Sequence, residues 1–202
     1  MTETMLAPLT AALDDGTRLV AAVTGEQWSH PTPCADWTVR QLVNHVVGGN
    51  RLFTRVLRGA ALPPMQDLGR RAQEDQLGED PAAAYRTTAD ELVQALGKPG
   101  VLAGTFTVPA GTLPAPAIVH LRTVEILVHG WDLARATGQA IPFADELAVG
   151  ELAFSSDLLG RIPDGRRPFA PTRAVDGEAP AIDRLVALLG RDPAWRGGAP
   201  SA

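Results

Sequence analysis

The sequence predicts an all-α chain, and three stretches carry that expectation. Residues 115–137, APAIVHLRTVEILVHGWDLARAT, form the longest helical pattern. Residues 4–24 place Leu6, Leu9, Leu13, Val20 and Val23 at helical spacing. Thr38 and Gln41 stand in capping-box relation immediately ahead of an apolar run. At 202 residues and 21.3 kDa the chain fits a single domain long enough to bury a full core without staples.

In chain order, the amphipathic pattern over 4–24 predicts a first helix that serves as a bundle wall. GEQWSHPTPCADW then breaks the pattern with Pro31 and Pro33, and Trp28 and Trp37 are expected to fold back as apolar lids. His30 precedes Pro31, where the backbone is extended, and is expected to be solvated. The second helix starts at Thr38 and turns Leu42, Val46, Leu52, Phe53 and Val56 inward, with His45 on the same side. Gly48 and Gly49 cost that helix about 0.5–1 kcal/mol each relative to Ala. Either close helix packing or a bulky group approaching beside His45 accounts for them. Residues 59–80 are polar, contain Pro63-Pro64, and read as a long crossover or lid.

A third helix is expected over 81–97, with Pro81 in its first turn and Gly97 just past its end. VLAGTFTVPAGTLP is an extended loop or a small hairpin, and the fourth helix, over 115–137, ends near Gly138. A shorter helix over 144–160 and a final one in AIDRLVALLG flank an Arg/Pro-rich segment. Its arginines, Arg161, Arg166, Arg167 and Arg173, have acids nearby and read as a solvated face.

Composition narrows the function. A net charge of −5 and a pI near 5.3 argue against nucleic acid or an anionic membrane as partner. No apolar run reaches the ~18–20 residues of a membrane span. The N-terminus lacks a basic signal-peptide segment, and Cys34 is the single cysteine; both fit a cytoplasmic location.

The chemistry concentrates on the fourth helix. Glu125 and His129 are four apart and so share one helical face, and Asp132 follows three residues later. These three groups are costly to bury unpaired, and a divalent cation would supply the missing charge. Two ligands hold a metal poorly, so a third must come from elsewhere. Without a metal, Glu125 would pair with Arg122, Asp132 with Arg135, and His129 would be a hydrogen-bonded core histidine. His120, five residues before Glu125, turns away from the stripe and is left out of the site.

CADWTVRQLVNHVVGG on the second helix and EILVHGWDLARATG on the fourth together resemble the DinB/YfiT-like superfamily. The closer resemblance is to the mycothiol-dependent maleylpyruvate isomerase-like metal-binding proteins of actinobacteria, and PAIDRLVALLGRDPAW is similar to the ending of a short, single-domain branch of them. The resemblance implies a DinB-like four-helix bundle over 1–140 with a long crossover, and a short helical extension over 141–202. It implies a metal held by His45, Glu125 and His129, with an external thiol, mycothiol, at the open position. Two imidazoles and a carboxylate suit Zn²⁺ with a fourth position free; Ni²⁺ or another divalent metal fits the same ligands. Asp132 is then an orienting partner of His129. Residues 141–202 are too short to match the C-terminal domain of the two-domain isomerase, which speaks against maleylpyruvate itself as substrate.

The resulting expectation is a Zn²⁺-dependent thiol S-transferase or isomerase that activates mycothiol for attack on a small electrophile. The alternatives are a metal-dependent hydrolase with water as nucleophile and a non-catalytic metal-binding or stress-response module. No residue stands out as a general base. Cys34 is a rival thiol, but beside Trp37 it reads as a small structural residue. Exposed bundle faces leave room for a homodimer.

Overall fold

The computed structural model of the chain describes residues 2–35, 37–162 and 169–197. Helices α1 (Thr2–Ala21), α2 (Val39–Leu57), α4 (Pro81–Leu96) and α5 (Ala115–Thr137) close a ring in the order α1, α4, α2, α5. Their inward side chains make one apolar core, in which Leu9, Leu42, Leu92, Leu127 and Trp131 are shielded almost completely from water. Each large apolar side chain buried this way stabilises the fold by roughly 1.5–3 kcal/mol. This is the all-α bundle that the helical patterns predict.

Local signals set the helix ends. The Thr38 hydroxyl accepts from the Gln41 backbone N–H, and the Gln41 side chain accepts from the Thr38 N–H at 2.9 Å. The Asp80 carboxylate caps α4 by accepting from the Ala83 N–H, with Pro81 next in line. Gly138 ends α5 in the left-handed region at φ 71°, where a side chain would be strained.

Three expectations need correction. The crossover holds a helix, α3 (Met65–Gln73), which starts after Pro64 with Asp67 in its first turn and Arg70 and Arg71 in its last. Its few apolar residues concealed it. On α2, Leu52 and Phe53 are only half-buried, whereas Val39, Val43 and Val47 are buried, and so are the polar Asn50 and Thr54. The inward face is therefore broader and more polar than the spacing indicated. His30 is half-buried rather than solvated: its ring Nδ1 lies 3.3 Å from the Ala136 carbonyl in the last turn of α5.

Residues 105–114 form a hairpin, β1 (Thr105–Val108) with β2 (Gly111–Pro114), antiparallel with Thr105 opposite Pro114. It covers a small cluster of Val56, Val108 and Ile118. After α5, α6 (Asp145–Gly160) and α7 (Ala181–Leu188) pack against each other and on α5. Ala148, Leu159, Ile182 and Leu185 thereby join the bundle's core. The Asp145 carboxylate accepts from the Ala181 N–H at 2.7 Å, and Trp131 Nε1 donates to Asp183 at 2.9 Å, which ties both helices down. Of the Arg/Pro-rich segment, Arg161 pairs with Asp157 at the surface and Arg173 is exposed; Arg166 and Arg167 lie outside the described residues. Among the described residues no helix is long and apolar enough to cross a membrane.

Candidate metal centre

The α2–α5 contact brings His45 from one helix against Glu125 and His129 from the other. Glu125 Oε2 lies 3.2 Å from His45 Nε2 and 3.6 Å from His129 Nε2. The three residues place one ligand atom each within 4.8 Å of one another. The helical spacing explains the α5 half: one turn separates Glu125 from His129, so both reach the same point above the helix. On α2 the capping box at Thr38 sets where the helix begins, and burial of Val39, Leu42, Val43 and Val46 turns the helix so that His45 meets Glu125 of α5.

Asp132 lies one turn beyond His129, fully buried, with its Oδ2 3.1 Å from His129 Nδ1. That leaves Nε2 of His129 facing Glu125. Trp37 closes the top, with its ring centroid 4.7 Å from that of His45 and 5.9 Å from that of His129. Of the two tryptophans expected to act as lids, Trp37 covers these rings, and Trp28 packs on the core.

Electrostatics mark the spot as one that wants positive charge. Burial alone would raise the Glu125 carboxyl, but hydrogen bonds from His129 and His45, with the charges of His129 and Arg122, hold it well below the usual carboxylate range. Burial works against a charged His129 ring, yet its bonds to Asp132 and Glu125 outweigh this and push its pKa up to about 9.

Behind Glu125 sits Arg122, almost wholly buried, with its Nη1 3.9 Å from Glu125 Oε2 and its Nη2 donating to Asn50 Oδ1 at 2.8 Å. Its guanidinium lies over the Phe53 ring at 4.9 Å and occupies the space beside Gly49, where a Cβ would sit 2.9 Å from Nη1. The group that approaches the glycine pair is thus an arginine of the protein itself. Sequence reading noted the Arg122–Glu125 pairing but had no means to see that Gly49 makes room for it.

Asp132 pairs with Arg191 rather than Arg135, at 3.1 Å, while Arg135 lies 3.6 Å from Asp183. Arg191 was missed because it comes from the residues after α7, 59 positions away in sequence. His120 is indeed apart: its Nδ1 bonds Glu151 at 3.0 Å and its ring stacks on Phe154. Cys34 is half-buried, and its sulfur belongs to a second donor group with His129 and Asp132.

Two cavities border His45. One, of about 350 Å³, runs between Gly48, Gly49 and Leu52 of α2 and Met65 and Leu68 of α3. It is rimmed by Arg51, Arg55 and Arg71. The other, of about 700 Å³, is more polar and lies against Trp37, Gln41, Asn44 and Gln73. The chain at 74–76 runs between them, where the Asn44 side chain donates to the Glu74 carbonyl at 3.0 Å and accepts from the Gln76 N–H at 2.7 Å.

Comparison with known proteins agrees with this architecture. Residues 9–134 match the sequence signature of the mycothiol maleylpyruvate isomerase N-terminal domain. The uncharacterized proteins MT0763 and Rv0738, from two strains of Mycobacterium tuberculosis, are each 38% identical over 183 residues, covering 89% of this chain and 93% of their own. Two crystal structures of mycothiol-dependent maleylpyruvate isomerase, one of a point mutant, share the fold with TM-scores of 0.62 and 0.60 at 16% identity. They cover 76% of this chain and 68% of theirs. With the signature spanning α1 to α5 and the ring of four helices behind it, the chain belongs to the DinB-like family of the mycothiol maleylpyruvate isomerase N-terminal domain.

Proposed function

We propose that the chain is a mycothiol-dependent transferase or isomerase that uses a divalent metal, Zn²⁺ or an ion of similar preference such as Ni²⁺, to join the thiol to a small electrophile. One observation carries the metal part. The Glu125–His45 and Glu125–His129 separations of 3.2 and 3.6 Å are close to the ~3.3 Å ligand-to-ligand edge that ~2.0 Å bonds give in a tetrahedron. The pull for positive charge between Glu125 and Asp132 supports the same reading.

His45, Glu125 and His129 are the residues that would hold the ion. Once bound, it supplies Lewis-acid chemistry, lowering the pKa of a thiol so that thiolate is available at neutral pH. The protein's own groups do the rest. Asp132 fixes the His129 ring by accepting a hydrogen bond from Nδ1–H, so that Nε2 carries the free lone pair. Arg122 balances the Glu125 charge from the buried side. Trp37 lies over both imidazoles and limits water there. The two cavities beside His45 give thiol and electrophile separate approaches, the polar one suiting a sugar-like thiol and the more apolar one a small electrophile.

The test is the metal content of the purified chain by plasma mass spectrometry, together with His45→Ala and His129→Ala. Conjugation of monochlorobimane is measured with and without mycothiol. The expected result is near-stoichiometric metal in the parent, lost in both variants, and conjugation that needs mycothiol and metal together. Metal unchanged by either substitution would overturn the ligand assignment, and thiol-independent turnover would overturn the cosubstrate.

A further inference from the structure

Asp132 has no exposure to water, and a carboxylate so placed is tolerated only when its lone pairs are taken up by donors. Three contacts do this. His129 Nδ1 lies 3.1 Å from Oδ2, Arg191 Nη2 donates to the same oxygen at 3.1 Å, and Arg191 Nε reaches Oδ1 at 3.4 Å. The two-point grip is the geometry in which a guanidinium binds a carboxylate most specifically. Arg191 is itself held. Its backbone N–H donates to the Val186 carbonyl at 2.9 Å, and its Nη1 donates to the Leu189 carbonyl at 3.3 Å. The turn that delivers it depends on Gly190, at φ 86° and tight against Ala170.

The same corner contains a rival for the ion. Cys34, His129 and Asp132 place their donor atoms within 4.8 Å of one another, as His45, Glu125 and His129 do. Both sets need His129, so a single ion cannot use both. Arg191 distinguishes them by position, because its guanidinium lies 3.1 Å from Asp132, which belongs to the Cys34 set and not to the other. A cation there would face a guanidinium at close range, and at a few ångströms in a half-dry site that repulsion is large.

Resting on the metal reading above, we propose that Arg191 is a positioning residue. It clamps Asp132, through Asp132 it orients His129 Nε2 toward Glu125 and His45, and its charge closes the Cys34–His129–Asp132 set to cations. The turn after α7 that carries Arg191 thus reaches the centre from behind, through Asp132.

Co²⁺ reports on both parts, since its affinity is measured by titration and a thiolate ligand gives it a charge-transfer band. The full-length parent, Arg191→Met, Arg191→Lys and the double variant Arg191→Met with Cys34→Ala are titrated after circular dichroism has established that each is folded. The parent is expected to bind one Co²⁺ with no thiolate band. Arg191→Met should bind ~10–100-fold more weakly, the range for losing an outer-sphere partner, and gain a thiolate band that the double variant lacks. Arg191→Lys, which keeps the charge without the two-point grip, should recover part of the affinity and show no thiolate band. Equal affinity and identical spectra in parent and Arg191→Met would overturn the proposal while leaving the three-ligand centre standing. If Arg191→Met does not fold, Arg191→Lys with parental affinity overturns the clamp. A parent that binds no Co²⁺ overturns the metal reading and this inference together.

Discussion

Helix α5 presents two histidine–carboxylate pairings, His129 with Glu125 at 3.6 Å and His120 with Glu151 of α6 at 3.0 Å. Around His129 the surroundings converge. A second imidazole, a second carboxylate and an indole lie beside it, with buried Arg122 on Glu125 and half-buried Arg191 on Asp132. Around His120 they close on themselves: the buried Glu151 carboxylate bonds the ring with both oxygens, Phe154 stacks on it, and part of the ring faces water. A histidine beside a carboxylate is therefore no signal in itself. What separates a candidate centre from a local ion pair is whether a different helix delivers a further donor to the same point.

The sharpest way to break this comparison is to make the same change at both pairings. Glu125→Gln removes one of the three proposed donors and leaves the buried Arg122 without its carboxylate, so metal affinity should fall by more than the ~100-fold that losing an outer-sphere partner costs and the variant should purify with little metal. Glu151→Gln, 31 residues from His120 in sequence and on α6, should leave metal content at the parental level. Plasma mass spectrometry of the two variants purified side by side decides it, and equal metal in both would remove the distinction.

A smaller effect is expected at the glycine pair that flanks His45. Gly49→Ala would place its methyl 2.9 Å from Arg122 Nη1, and the guanidinium has little room to retreat, being bonded to Asn50 and packed on Phe53. Overpacking of this kind costs about 1–3 kcal/mol. Gly48→Ala meets only the Gln76 side chain at 3.4 Å, a flexible neighbour, and should regain about 0.5–1 kcal/mol of helix propensity. Denaturant midpoints should therefore move in opposite directions for two adjacent glycines. A parallel shift would mean that Arg122 can leave its place freely.

How much of this could be read beforehand follows from the range of each interaction. The helix boundaries were legible because their signals are local: Thr38 with Gln41, Pro81, and Gly138 lie within a turn of the ends they set. Glu125, His129 and Asp132 were legible for the same reason, since four- and three-residue spacings on one helix are fixed by its pitch. His45 showed an inward phase only, and its place opposite Glu125 rested on a family resemblance. Arg191 and Asn50 escaped because nothing in their neighbourhoods says which distant group they meet; a buried arginine looks like a surface one until its partner is known. α3 escaped for a different reason. A nine-residue helix with one large aliphatic residue, Leu68, has too little apolar stripe to rise above a polar loop.

The least of the expected effects tests the quiet half of the comparison. The Glu151 hydrogen bond raises the His120 pKa above 6.5, with burial opposing it and the Glu151 charge adding to it. The folded state therefore binds this proton more tightly than the unfolded chain. Its contribution to stability is fully present below pH ~6.5, the unfolded value, and is lost as the pH rises through the higher folded value. Replacing His120 by Gln removes that dependence, so the parent's advantage over His120→Gln should be greatest near pH 6 and shrink steadily toward pH 9. The advantage is expected to be a fraction of 1 kcal/mol, because the ring is 39% exposed and solvent screens the pair. Urea midpoints of the two proteins across that range measure it. A difference that grows with pH instead would mean that Glu151 holds a neutral ring, and that this pairing is as strongly shaped by its surroundings as the one at His129.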